Sequence, residues 1–243
     1  MQAPDWIIPL GTGSRSNNDE LRLLLRSIER HARPLGRVIV VGTVLPEWLT
    51  GVETLAVEDT DRRTKDANLL RKASEAVRRF HVEDAVLTAD DRALMRPLDV
   101  LKMPPIYNGW GKAHFAPGEG DRKYWPWNAQ MYRTFELAEA LGLNLKHHYD
   151  SHCPQLFRRA PALMERLNVV DVSRGYCWFT LLRTLERETG GDTQTNWRSS
   201  HDSKGLVGAP FDKPFAGYTD DGFLNGLRER LFQVFPEKSH YEK

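Results

Sequence analysis

Apolar positions along the first hundred residues follow two rhythms: short unbroken runs, and stretches where they recur every three or four residues. Trp6-Ile7-Ile8-Pro9-Leu10 is an unbroken run that ends at Gly11-Thr12-Gly13, as a buried strand entering a glycine loop does. Ser16 to Asp19 supplies N-cap side chains, and Leu21, Leu24, Leu25 and Ile28 then share a helical face. That spacing predicts a helix to about His31, stopped by Pro34 and Gly36. Arg37 to Gly42 is β-branched and apolar at its centre, the pattern of a parallel strand covered on both faces. Glu53 to Val57 is a weaker third strand. Asp66 can cap a helix from Ala67 to about Phe80, with Leu70, Ala73 and Val77 on one face. Ala85 to Thr88 is the next strand, and Ala89-Asp90-Asp91 follows at its carboxyl end.

The pattern changes after Pro97. Residues 103–128 are rich in Pro, Gly, Trp, Tyr, Lys and Asn and read as a long irregular segment, a type of loop that often carries function. A helix is expected from about Ala129 to Leu141, a short strand near His147 to Tyr149, and helices at about 161–167 and 175–189. Residues 190–220 read as polar and turn-rich, and a last helix is expected near 221–232. The expected fold class is α/β. Residues 1–100 form a nucleotide-binding, Rossmann-like half with a mostly parallel central sheet and helices on both faces. Residues 101–243 form a smaller, mainly helical and irregular part of the same compact domain.

Composition narrows the function classes. The 243 residues carry a formal net charge of +1, so no global basic excess points to nucleic acid, although a local basic stripe can hide in a neutral total. Cys153 and Cys177 form neither a CxxC nor a zinc spacing and read as reduced thiols. No leader and no membrane span is visible, so a cytoplasmic protein with soluble or peripheral substrates is expected.

Chemistry concentrates at the strand ends. Ligands of open α/β sheets bind beyond the carboxyl ends of the strands. Adjacent carboxylates there raise each other's pKa unless a cation or donors neutralise them. Mg²⁺ and Mn²⁺ typically take one or two carboxylates plus substrate phosphate oxygens, so Asp90-Asp91 suits a metal–diphosphate site; the alternative is a cap on the next turn. Arg15, Arg62, Arg63 and Lys65 sit where they can meet phosphates, or else lie on a solvated face. His148, Asp150 and His152 alternate, which on an extended stretch puts them on one face; an imidazole with a carboxylate can complete a metal site or act as a base. The bland reading makes His147 and His148 surface residues and His152 a hydrogen-bonded core residue. Tyr107, Trp110, Trp125 and Trp127 are interleaved with Lys112, Arg122 and Lys123. Such rings stack on sugars or bases, or simply pack a junction.

The order Pro9-Leu10-Gly11, then Lys65-Asp66-Ala67-Asn68, then Ala89-Asp90-Asp91 resembles the GT-A glycosyltransferases. The resemblance implies that Pro9, Leu10, Gly11, Arg15, Lys65, Asn68 and Asp90 bind a nucleotide-sugar donor. It also implies that Asp91 ligates a divalent metal, Mn²⁺ or Mg²⁺. A second resemblance, spread over most of the chain, is to Stealth-type sugar-phosphate transferases and small phage-type glycosyltransferases. It rests on Asn18-Asp19-Glu20-Leu21-Arg22 continuing through Arg26-Ser27-Ile28-Glu29, on Pro46-Glu47-Trp48-Leu49, on Ala89-Asp90-Asp91, on His152-Cys153-Pro154 and on Pro236 to Glu242. It adds His152 as a metal or diphosphate ligand. Pro9-Leu10-Gly11 replaces the opening Trp-Val-Asp-Gly block of the Stealth proteins, which favours ordinary glycosyl transfer over phosphotransfer.

The expected activity is transfer of a sugar from a nucleotide sugar to a hydroxyl, with Asp150 as base if the anomeric centre inverts; retention is equally open. Tyr107, Trp110, Lys112, Trp125 and Trp127 are the expected acceptor contacts. The acceptor stays open between a hydroxymethylated base in DNA and a polysaccharide. A sugar-phosphate transferase, a nucleotidyltransferase using Gly11 to Arg15, and a sugar-nucleotide-binding protein without transferase activity are the competing readings.

Overall fold

A computed structural model describes residues 2–11, 14–60, 65–116, 125–201 and 211–243. The first half runs β1 (Asp5–Pro9), α1 (Asp19–His31), β2 (Ala32–Arg33), β3 (Val38–Gly42), β4 (Glu53–Ala56), α2 (Lys65–Phe80), β5 (Ala85–Leu87) and β6 (Arg92–Leu94). Next come β7 (Leu98–Asp99), β8 (Ile106–Tyr107), α3 (Trp125–Ala140), β9 (Gln155–Phe157), α4 (Ala160–Leu167) and α5 (Trp178–Glu186). The chain closes with β10 (Asp192–Thr193), α6 (Gln194–Trp197), β11 (Arg198–His201), β12 (Phe215–Tyr218), α7 (Asp220–Gly222) and α8 (Arg228–Val234).

The fold is α/β. Its main sheet has the order β4-β3-β1-β5-β9, parallel except for β9, which runs antiparallel to β5. The chain lays β1, β3 and β4 outward on one side and then returns to place β5 on the other side of β1. The strand order therefore reverses between β1 and β5, and a crevice opens beyond their carboxyl ends.

The unbroken apolar runs are explained by burial on both faces. Ile7, Ile39, Val41 and Leu87 point into a core shared with α2, α3, α4 and α5. Their neighbours Trp6, Ile8, Val40 and Val86 point the other way, onto Leu21, Leu24, Leu25 and Ile28 of α1. A second sheet, β11-β12-β6, packs with α1 and α8 around Leu23, Ala93, Tyr218, Phe223 and Leu231. No described helix is long and apolar enough to cross a membrane.

Several expectations from the sequence change. The helix expected from Ala129 already includes Trp125. Residues near 147–149 form no strand; His148 makes one isolated bridge, to Asn108. The polar 190–220 stretch contains β10, β11 and β12, because its short strands pair inside the sheets rather than showing their own apolar rhythm. The last helix breaks at Asn225 and Gly226, where Gly226 takes φ of 109°, and resumes as α8.

The polar side of α1 holds the carboxyl-terminal segment. Arg26 donates from Nε to Glu242 Oε1 at 2.7 Å and from Nη2 to Oε2 at 2.8 Å, and Glu242 Oε1 also accepts from the Ser239 amide and hydroxyl. Arg22 lies over the Trp48 ring, Glu29 pairs with His240, and Leu49 bridges Glu242. Three of the sequence blocks read above thus meet in one buried clasp. Burial opposes ionisation of Glu242, but the Arg26 guanidinium and the Ser239 amide hold its carboxyl below its usual range. The clasp is therefore at full strength above the ordinary Glu pKa and is lost as acid protonates Glu242 in the folded protein. Glu242→Ala leaves the Arg26 charge buried without its carboxylate, with only the Phe235 and Pro236 carbonyls as acceptors among the described residues, and should cost about 3 kcal/mol in urea denaturation at pH 7. A loss within about 0.5 kcal/mol, the scale of an ordinary surface change, would show the clasp to be passive.

Candidate active site

β1 ends in Pro9 and Leu10, both buried, and Gly11 opens the turn beyond it. Leu10 is fixed twice: its amide donates to Val41 O at 2.7 Å, and its carbonyl accepts from Lys72 Nζ at 2.6 Å. Lys72 is completely buried and also pairs with Asp59 at 2.7 Å. Thr43 and Asn68 hold the same loop after β4: Asp59 N donates to Thr43 Oγ1, and Thr60 N donates to Asn68 Oδ1. Lys72 thus ties the ends of β1 and β4 together. On sequence it was one more charged position on an amphipathic helix, and only a lysine on the buried side of the Leu70–Ala73–Val77 face would have hinted at the role.

Beyond β5 the chain turns through Ala89, Asp90 and Asp91 into β6. The turn is locked by β12: Tyr218 N donates to Asp91 O at 3.2 Å, and the Tyr218 hydroxyl donates to Asp90 O at 3.2 Å. Neither aspartate caps a helical turn, since β6 follows directly. Arg92, itself buried, donates from Nε to Asp91 Oδ1 at 3.1 Å and from Nη1 to Cys153 O at 2.7 Å. Asp91 Oδ2 lies 3.3 Å from His152 Nδ1. Arg198 donates to Ser151 O at 3.0 Å, so the two carbonyls flanking His152 are gripped by two arginines. His152 sits between them at φ of 50°, with half of its side chain exposed. A Cβ on Gly217 would come within 2.7 Å of Arg198 Nε, so glycine at this point of β12 is what lets Arg198 pass.

The two aspartates differ electrostatically. Burial and then the charge of Asp91 push Asp90 up to about 6, against the opposing pull of Lys65. Burial works against Asp91 ionising as well, but Arg92, the His152 hydrogen bond and Lys65 hold its carboxyl well below the usual range. Asp91 is therefore the readily ionised partner, and Asp90, which gives up its proton only near pH 6, is the one whose charge is poorly compensated. Lys65 is within electrostatic reach of Asp66, Asp90 and Asp91, and its Cε lies 3.8 Å from where a Cβ on Gly11 would stand.

A second carboxylate pair faces the first turn of α5. Asp150 accepts from Phe179 N at 3.4 Å, Thr180 N at 3.2 Å and Thr180 Oγ1 at 2.5 Å. Asp66 accepts from Trp178 N at 3.2 Å. Asp66 therefore serves α5 rather than capping its own helix. Burial, then repulsion from Asp150, pushes Asp66 up to about 7, and burial raises Asp150 as well. Both oxygens of Asp150 are occupied by α5, whereas among the described residues Asp66 accepts only through Oδ2.

The sequence grouped His148, Asp150 and His152 on one face; each instead has its own surroundings, because the stretch is not a strand. His148 is buried among Phe115, Trp127 and Trp110, with both ring nitrogens unpartnered among the described residues. Burial, with the neighbouring imidazoles, lowers it to about 3. It is a core residue, and His152, read alternatively as core, is the exposed one. Trp110 is half exposed and stacks on His114 at 4.3 Å; Tyr107 stacks on His147 at 4.1 Å. Lys112 pairs with Glu139 at 2.6 Å and lies over Tyr132. Arg15 is exposed and pairs with Asp221 at 3.4 Å. Thr12, Gly13, Arg62, Arg63, Arg122, Lys123 and the Trp125 side chain lie outside the described residues.

Asp91, His152, Asp90, Lys65 and Asp66 are thus brought to one end of the sheet, while Tyr107, Trp110 and Trp127 form an aromatic ledge around the 147–148 turn. Among the described residues no group of three His, Cys, Asp or Glu side chains could hold a metal alone. Asp91 and His152, 3.3 Å apart, are two side chains of ligand type, fewer than a cation needs without oxygens from elsewhere. No protein-family model matches the chain, and no curated protein matches it.

The raised Asp66 generates a stability prediction. Its folded pKa, about 7, exceeds the unfolded value near 4, so it destabilises the fold progressively as pH rises from about 4 to about 7. Asp66→Asn should therefore match the wild type in Tm at pH 4 and exceed it by several degrees at pH 8. A variant less stable than wild type at pH 8 would refute the assignment.

Proposed function

We propose that the protein is a glycosyltransferase of the GT-A type, moving a sugar from a nucleotide-sugar donor to a hydroxyl acceptor. The observation that carries the proposal is Asp90-Asp91 beyond β5, at the point where the strand order reverses, with His152 against Asp91 and Lys65 alongside. An adjacent carboxylate pair of which one member resists ionisation is a site short of positive charge. Asp91 and His152 would hold a divalent cation, with Asp90 as donor contact. When bound, such a cation supplies charge neutralisation for a departing diphosphate. Lys65 offers its ammonium to the same phosphates. Leu10, whose carbonyl Lys72 fixes at the end of β1, would stand at the nucleoside end.

For the acceptor proton, Asp66 is the better base than Asp150. Among the described residues only its Oδ2 accepts a hydrogen bond, from Trp178 N, and it titrates near neutrality, where a base is most effective. Asp150 holds the first turn of α5 and, through its charge, keeps Asp66 basic. The exposed Trp110 face supports an acceptor that stacks, either a sugar or an extruded base. Pairing of Lys112 with Glu139 removes one cation that a DNA backbone would need, which favours the carbohydrate.

A thermal-shift panel of nucleotide sugars with and without Mn²⁺ tests the proposal. One donor should raise Tm only with metal, and Asp91→Asn should abolish that rise. Retention of the full shift in Asp91→Asn, or no shift with any donor, would sink the reading. With the donor identified, Asp66→Asn should lower kcat about 100-fold at unchanged donor KM and remove the rise in rate through pH 7. An unchanged pH profile would return the base to another residue. Duplex DNA carrying hydroxymethylated bases should not show salt-sensitive binding; if it does, the acceptor is DNA.

A further inference from the structure

Ser151 to Pro154 belong to no helix or strand, yet the turn they form is held more firmly than a surface bend requires. His152 takes φ of 50°, a region that L residues other than glycine seldom adopt. From one side Arg92 Nη1 donates to Cys153 O at 2.7 Å. From the other, Arg198 Nη1 donates to Ser151 O at 3.0 Å and is steadied by Gln194 Oε1 at 3.3 Å. The path of Arg198 depends on a glycine. Gly217 of β12 stands opposite Arg92 of β6 and opposite Ser200 of β11. Glycine weakens a strand interior, and there it often marks a close approach. Here a Cβ would stand 2.7 Å from Arg198 Nε, 2.9 Å from its Cδ and 3.3 Å from His152 O. Residues from β6, β11 and β12 thus converge on the backbone around one half-exposed imidazole.

What the grip achieves is visible at the ring. His152 Nδ1 lies 3.3 Å from Asp91 Oδ2. A carboxylate only accepts, so in the neutral ring Nδ1 carries the hydrogen. A ring nitrogen and a carboxylate oxygen at this separation share either that proton or, when it is released, a cation. Arg92 touches both partners, since it also donates to Asp91 Oδ1, so removing it would disturb the carboxylate as well as the turn. Arg198 reaches the pair through Ser151 O, on the imidazole side. We propose that Arg198 is a positioning residue for the candidate site: its grip on Ser151 O holds the His152 ring with Nδ1 on Asp91 Oδ2. Its part in donor binding rests on the reading of the site given above, whereas the positioning itself is measured without donor or metal.

The tautomer of His152 is the readout, because the hydrogen bond at one ring nitrogen decides which nitrogen is protonated. Long-range ¹H–¹⁵N spectra of the labelled full chain at about pH 9, above the ordinary His range, should show the wild-type ring chiefly as the Nδ1–H form. Arg198→Met keeps the stem and loses the donor, and Gly217→Ala displaces the same side chain; both should convert His152 to a mixture of tautomers. Arg198→Lys, which can still donate to Ser151 O, should restore part of the Nδ1–H form. Circular dichroism and Tm confirm that each variant is folded, and a merely structural Arg198 would lower Tm without moving the tautomer. A wild-type ring chiefly in the Nε2–H form, or an unchanged tautomer in folded Arg198→Met or Gly217→Ala, would overturn the proposal. Mn²⁺ alone, added at neutral pH, separates it from the cation reading. Broadening of the His152 ring signals should need about tenfold more Mn²⁺ in Arg198→Met than in the wild type, the usual scale for losing a residue that orients a ligand. A tautomer that responds as expected with no broadening by Mn²⁺ supports the positioning and counts against the cation.

Discussion

Arg92 is the interaction on which the candidate site turns. A guanidinium buried beneath the sheet ends is costly to desolvate, and it is kept there by a carboxylate on one side and a carbonyl on the other. Through Nε it orients Asp91, and through Nη1 it holds Cys153 O, so the loop after β5 and the turn before β9 are locked to each other. It also packs over the Phe179 ring, in the first turn of the helix whose amides hold Asp66 and Asp150. One side chain therefore links the two carboxylate pairs and the exposed imidazole between them. Lysine at this position could not reproduce the fork, since its single ammonium has no fixed second direction.

The sequence exposed the main sheet well and the second sheet poorly, for the same reason. Strands β1, β3 and β5 are buried on both faces, so their composition alone is a signal. The alternation of Trp6 and Ile8 against Ile7 then only divides them between two cores. β11 and β12 contain Arg198, Ser199, Ser200, His201 and Gly217, residues chosen by their neighbours rather than by a strand rhythm. Their register depends on β6, more than a hundred residues earlier, and no local window contains that information. Yet β12 supplies Tyr218, without which Asp90 and Asp91 would sit on a free turn.

The site was legible in part for a related reason. Asp90-Asp91 stood out because two charges after an apolar strand are locally anomalous. His152 followed from its place before Cys153-Pro154. Asp66, Lys72 and Arg92 were invisible as site residues. Each looks like an ordinary charged residue on or beside an amphipathic element, and each acts across a long chain separation: Asp66 on Trp178, Lys72 on Leu10, Arg92 on Cys153. His148 misled in the opposite direction, since a histidine beside a candidate ligand invites a chemical role, and the aromatic shell that buries it comes from residues 110–127.

The division of labour among the acidic residues follows from what each one touches. Arg92, the His152 hydrogen bond and Lys65 keep Asp91 ionised against its burial, while burial and the charge of Asp91 make Asp90 resist ionisation. Asp150 has three donors from α5, while among the described residues Asp66 has one, to Oδ2. An added positive charge near Asp90 and an arriving hydroxyl near Asp66 would each relieve a cost already present in the folded chain. If the site acts as proposed, charge balance as well as shape would select what enters.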